Sequence, residues 1–294
     1  MDYARYAPMI ADAARAPSLW RLLLGSLTVI TVAMGWMVGV VGVAIWALPE
    51  VLAVFQGRDI TPADTPQETL FFLLMIVGLG VGAWTAARFW HKRGLRSLMG
   101  RGARVLRHFV LAACVTFAMA AFVFALTFSI AEPLVPNLDL SVWLMWLPLA
   151  LFAVALQTGA EELLFRGYLQ SQLAARFRSP LLWLVFPSIL FGFAHFGPGL
   201  PLSAALTYVA FAALFGLMAG DLTARTGSIG AAWGMHFANN TLAILVVAVQ
   251  GSLTGLGLYR SGDIVNALSL SPLVILDLMA LALVWLLIRR MLAN

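Results

Sequence analysis

Long apolar runs separated by short polar or basic segments dominate the chain. They fall approximately at 20–48, 70–90, 106–131, 142–175, 181–196, 203–220, 228–250 and 272–290. A helix that crosses a bilayer needs about 20 mostly apolar residues, so the pattern predicts an all-α, polytopic integral membrane protein of about eight transmembrane helices. No repeat period stands out, and no linker separates two soluble units. The chain reads as a single membrane domain in three stretches. Residues 1–141 hold about three helices and a basic loop at 86–108, residues 142–250 hold the helices richest in buried polar groups, and 251–294 hold a loop and the last helix.

Composition agrees with that pattern. Hydrophobic residues make up 62% and charged residues 11% of the 294, against roughly a quarter charged in soluble domains. The first run is longer than the apolar core of a signal peptide and lacks a small-residue cleavage site, so it is expected to stay as an anchor. Cys114 is the single cysteine, inside the third run, which rules out an intramolecular disulfide.

Charge adds orientation. Arg88, Lys92, Arg93, Arg96, Arg101, Arg104 and Arg107 crowd the loop at 86–108. Arg5 and Arg15 precede the first run and Arg21 stands at its start, Arg176 and Arg178 follow the fourth, and Arg289 and Arg290 close the last. With eight spans these fall on one side, which the positive-inside rule makes cytoplasmic, with both termini there. The other side carries mainly Asp59, Asp64, Glu68, Glu132 and Asp139, and its first loop, QGRDITPADTPQET, reads as an external connection. The net charge of +5 is therefore explained by anionic lipid at helix ends, and no nucleic-acid partner is expected.

Ionisable residues inside apolar runs are costly and mark functional sites by default. Outside the loops and helix ends they are Glu161, Glu162 and Arg166 in the fourth run, His195 near the end of the fifth, His236 in the seventh and Asp277 in the eighth. Glu162 and Arg166 stand four apart, acid first, and so pair on one helix face. Glu161 points about 100° away and lacks a local cation, which makes it the candidate for chemistry. His236 shares a face with Asn240, and Asn239 is nearly as well placed. Asp277 reads as a hydrogen-bonding group between helices. Gly35 with Gly39 and Gly78 with Gly82 form GxxxG pairs, read as ordinary packing.

The spacing also brings the candidates to one level. With a hairpin tip near Arg178, Glu161 and His195 each lie 17 residues from it on antiparallel arms, hence about 25 Å away at 1.5 Å per residue. His236 lies about 12 Å above the start of its helix near Ser228, at similar depth in the cytoplasmic half if the hairpin projects two turns below the membrane.

Three pieces, EELLFR (Glu161, Glu162, Arg166), FGFAH (Phe191, His195) and HFANN (His236, Asn240), resemble the EExxxR, FxxxH and HxxxN/B motifs of the CPBP family of intramembrane proteases. These are the CAAX proteases and bacteriocin-processing enzymes, also called the Abi or type II CAAX prenyl endopeptidase family. The resemblance implies peptide hydrolysis within a helical bundle, with 142–250 as the catalytic core. It implies that Glu161 with His195 activates water, that His236 and Asn240 bind the oxyanion, and that Glu162 and Arg166 support the site. The same Glu161, His195 and His236 also match a His₂Glu zinc set with a position open to water, so zinc or another divalent metal stands as an alternative cofactor. The helical HExxH of zincins is absent.

The expected partners are the lipid bilayer and a peptide or membrane-protein substrate. Seventeen Arg to one Lys, with abundant Ala and Gly, suggests a GC-rich bacterium and hence its inner membrane, which favours bacterial peptides over prenylated proteins as substrates. The alternative from another class is a non-catalytic or transport-like membrane protein, whose buried polar cluster binds a ligand, an ion or a partner helix.

Overall fold

The computed structural model describes residues 3–47, 64–127, 134–197, 199–250, 253–263 and 272–292. A short N-terminal helix, α1 (Ala7–Ala14), precedes the long α2 (Leu19–Ala47). Then come α3 (Pro66–His91), the single turn α4 (Leu95–Met99) and α5 (Gly102–Thr127). Helix α6 (Leu140–Glu162) runs on through a π-helical stretch, Leu163–Gln170, into α7 (Ser171–Arg176). A second π stretch, Leu181–Val185, leads into α8 (Phe186–Ala194), followed by α9 (Leu202–Thr226), α10 (Gly230–Thr241) and α11 (Pro272–Met291).

All eight apolar runs contain helix. Among the described residues, five stretches are long and apolar enough to cross a membrane: Leu19–Ala47, Pro66–His91, Gly102–Thr127, Leu140–Arg176 and Leu202–Thr226. The run at 181–196 makes a shorter apolar helix, Leu181–Ala194.

The run at 228–250 departs from an all-helical reading. It is helical to Val246 and then becomes strand β2 (Val247–Gln250), which pairs in parallel with β3 (Tyr259–Asp263), while β3 also pairs antiparallel with β1 (Val135–Pro136). Val247 and Val249 are β-branched and fit an extended backbone better than a helix. The neighbouring β3 supplies the hydrogen bonds that a strand needs.

The start of α3 follows local rules. Thr65 Oγ1 accepts from the Glu68 N–H and a Glu68 carboxylate oxygen accepts from the Thr65 N–H, with Pro66 in the first turn; this reciprocal pair satisfies two orphan donors. The rest of the first loop, and Asp59 and Glu132, lie outside the described residues.

Basic loops gather at one end of the bundle. The Ile229 N–H donates to Met99 O, Tyr6, just before α1, and Met9 within it are buried with Leu173 and Trp183, and Arg5 bonds to Leu292 O. The small sheet and the Asn137 bonds to Thr254 O and Gly257 O form the other end.

The two glycine pairs part ways. A Cβ at Gly78 would fall 2.8 Å from the Trp36 side chain, and one at Gly82 2.8 Å from Val29 O, so these two let α3 lie against α2. A Cβ at Gly35 or Gly39 would meet nothing within 4 Å.

Candidate functional site

The polar motif sits where α6 gives way to its π stretch. Wider π turns re-aim side chains and are frequent at functional sites. Glu161, Glu162 and Arg166 are 5%, 0% and 2% exposed, so each charge needs a protein partner.

Glu162 has two. Its Oε1 accepts from Arg166 Nη1 at 3.0 Å and from His236 Nδ1 at 2.8 Å. Arg166 Nη2 donates to Gly216 O at 3.2 Å, and the guanidinium lies 4.5 Å from the centroid of the Phe191 ring. Charge, hydrogen bonds and a cation–π contact together let the pair persist in an apolar bundle.

Glu161 is held differently. Its Oε1 accepts from Gln157 Nε2 at 2.6 Å. Its Oε2 is buried, has no hydrogen-bond partner among the described residues, and lies 3.9 Å from His236 Nε2. Glu161 therefore presents one bound and one unbound oxygen, the latter toward an imidazole nitrogen. Asn240 Nδ2 donates to Gln157 Oε1 at 3.0 Å, whereas Asn239 is exposed, which separates two asparagines that helical spacing alone leaves equivalent.

His195 stands half-buried at the rim. Its Nδ1 lies 2.8 Å from Phe191 O. A carbonyl only accepts, so Nδ1 carries the proton and Nε2 has a lone pair to offer when the ring is neutral. His195 makes no hydrogen bond to Glu161 or His236 among the described residues. Phe191 connects them: its ring centroid is 4.6 Å from that of His195 and 5.8 Å from that of His236. Tyr208 stands beside His195, ring centroids 5.8 Å apart, within electrostatic reach of Glu161.

The donors do not assemble as a metal centre. Among the described residues no three His, Cys, Asp or Glu side chains are placed to hold an ion. Glu161, His195 and His236 do not close on a common point. A His₂Glu zinc site does not fit this arrangement.

Two residues of this region escape a search for buried charge in the apolar runs. Gln157 is neutral, although its place four residues before Glu161 put it on the same helix face. Arg93 sits in a loop crowded with cations, yet it is 3% exposed. Lys92 adopts a left-handed φ of 55° after α3, and the chain turns so that Arg93 binds Ser97 Oγ, Ser97 O and Ser171 Oγ at 2.8, 3.0 and 2.8 Å. Burial pulls its guanidinium down to about 10. His91 adds a second tie through the Tyr168 hydroxyl at 3.0 Å. Both fasten the basic loop to the motif helix. Asp277, by contrast, lies exposed on α11, and no hydrogen bond to a neighbouring helix is seen for it among the described residues.

Residues 139–242 match the Rce1-like family, type II CAAX prenyl endopeptidase Rce1-like, which supports the CPBP/CAAX protease family. The chain is 30% identical over 183 residues to the uncharacterized protein YyaK of Bacillus subtilis (strain 168), covering 59% of each chain. It thus spans about three-fifths of that relative's length. No solved structure matches.

Proposed function

We propose, on the premise that residues 139–242 form a type II CAAX prenyl endopeptidase-like domain of the CPBP/CAAX protease family, that this chain is an intramembrane endopeptidase in which Glu161 activates water. One observation carries the reading: Glu161 and Glu162 each have a buried Oε2 without a hydrogen-bond partner among the described residues, and it is the Glu161 oxygen that faces His236 Nε2, at 3.9 Å. A buried carboxylate oxygen left unpaired among apolar helices is destabilising, and a water bound there is poised to give up a proton.

In this account the water proton passes to Glu161 Oε2 and the hydroxide oxygen bonds to the scissile carbonyl carbon. His195 Nε2, its other nitrogen committed to Phe191 O, accepts a hydrogen bond from the same water. The carbonyl oxygen becomes an oxyanion, met by the second Nδ2 hydrogen of Asn240 and by His236 Nε2–H. In this mechanism His236 donates through both ring nitrogens, Nδ1 to Glu162 Oε1 and Nε2 to the oxyanion, with Glu162 in the role of the third member of a hydrolase triad. Breakdown cleaves the C–N bond as Glu161 returns its proton to the leaving amine. Each oxyanion donor of this kind contributes about 3 kcal/mol.

The basic end of the bundle faces the cytoplasm under the positive-inside rule. With eight spans both termini lie there, and the site opens in the cytoplasmic half of a bacterial inner membrane. The substrate class is a peptide or membrane protein reached from that side.

Purified full-length protein with Glu161→Ala or His195→Ala tests the reading against any peptide that the wild type cleaves. Loss of cleavage in both supports it. Wild-type cleavage in both rules out this site as the protease centre.

A further inference from the structure

We infer that Gln157 is a positioning residue: its amide holds Glu161 Oε1 and Asn240 at once, leaving Oε2 as the oxygen that takes the proton from water. The purpose rests on the protease reading, whereas the bonds rest on geometry alone. Gln157 is 3% exposed, and both ends of its amide are engaged, Nε2 by Glu161 at 2.6 Å and Oε1 by Asn240 at 3.0 Å.

Direction follows from donor chemistry. A carboxylate only accepts, so Gln157 must turn Nε2 toward Glu161. Its Oε1 then faces Asn240, which must answer with Nδ2. The charge on Glu161 thereby decides, two links away, which way the Asn240 amide points. With Nδ2 inward, the second hydrogen of Asn240 remains for a substrate carbonyl; flipped, Asn240 would offer Oδ1 and repel an oxyanion. Base and oxyanion donor are coupled through one neutral side chain.

Spacing reinforces the coupling. Gln157 and Glu161 are one turn apart on α6, and Asn240 and His236 are one turn apart on α10. Gln157 meets Asn240 on one rung, and the two glutamates meet His236 on the next. A sliding of either helix by one turn, about 5.4 Å, breaks both rungs together.

The test uses the full chain in vesicles of phosphatidylethanolamine and phosphatidylglycerol, with dicyclohexylcarbodiimide as a reagent for protonated buried carboxyl groups. Peptide mass mapping follows the adduct at position 161, and Glu161→Gln, which cannot react there, identifies the signal. Gln157→Met keeps the side-chain volume and removes both bonds. Without its donor the neutral, reactive acid is favoured, and labelling at pH 7 is expected at least about threefold faster than in the wild type. Asn240→Ala frees the Gln157 amide to rotate and is expected to give a smaller rise; it also serves if Gln157→Met does not fold. Wild-type rates in both folded variants overturn the inference, and a wild-type rate in Asn240→Ala alone overturns the coupling to Asn240.

The positioning role has its own readout. Where Glu161→Ala removes a cleavage product from cells, Gln157→Met at equal membrane abundance is expected to lower that product at least about tenfold, and wild-type levels overturn the role. Cells whose peptides ignore Glu161→Ala end the protease reading instead, and the labelling rates still judge the Gln157 bond.

Discussion

His236 Nδ1 donates to Glu162 Oε1 at 2.8 Å. The same ring stops 3.9 Å short of Glu161 Oε2. One histidine thus bonds one of two adjacent glutamates and only approaches the other, and the two are expected to answer mutation in opposite ways. Glu161→Gln removes an uncompensated charge and keeps an oxygen for Gln157, so its unfolding midpoint in detergent is expected within about 2 °C of the wild type, or above it. Cleavage is expected to fall by about two orders of magnitude or more. Scanning fluorimetry beside a cleavage assay checks both.

Arg166 is the permanent cation bonded to Glu162 among the described residues, at 3.0 Å. Arg166→Met leaves that carboxylate buried beside the His236 ring, and breaking a buried pair from one side costs about 3–5 kcal/mol. The double variant Glu162→Gln with Arg166→Met removes both charges and is expected to recover much of the loss. Denaturant titration of the wild type, both single variants and the double variant measures the coupling.

The glycine pairs give a contrast within one fold. Gly82→Ala sets a methyl group 2.8 Å from Val29 O, and overpacking of this kind costs about 1–3 kcal/mol. Gly35→Ala meets open space and is expected to be neutral or to stabilise by up to about 1 kcal/mol through helix propensity. Midpoints of thermal unfolding for the two variants distinguish the packing pair from the open one.

Arg93 engages three acceptors with one planar guanidinium. An ammonium cannot reproduce that fork, so Arg93→Lys is expected to destabilise nearly as much as Arg93→Met, by about 2 kcal/mol. Neither removes a side chain from the Glu161 cluster. Unfolding midpoints of the two variants should therefore move together, and full stability in Arg93→Lys would mean that charge alone matters there.

What could be read before the structure follows from which forces leave a mark in residue types. Bilayer burial demands long apolar runs, so each of the eight segments contains helix. The Glu162 and Arg166 neighbours follow from helical spacing within one segment. Val247–Gln250 reads equally as helix or strand, and only the partner strand, distant in sequence, decides. The π stretch at Leu163–Gln170 changes hydrogen-bond register without a change in composition. Gln157 carries no charge to draw attention in an apolar run. Arg93 looks like its exposed neighbours until the turn at Lys92 buries it. His195 lies near the cluster as its depth suggests, but it joins through the Phe191 ring, and ring contacts across helices cannot be counted out along a chain.

The central claim is that Glu161 is the base of a membrane-embedded protease. It is tested most directly by comparing the membrane and secreted peptides of cells carrying the wild-type chain with those of cells carrying Glu161→Ala at equal abundance. The account predicts at least one cleavage product that is present with the wild type and missing with Glu161→Ala, its uncut precursor accumulating in the membrane. Identical peptide populations in cells where the wild-type chain cleaves a substrate would contradict it.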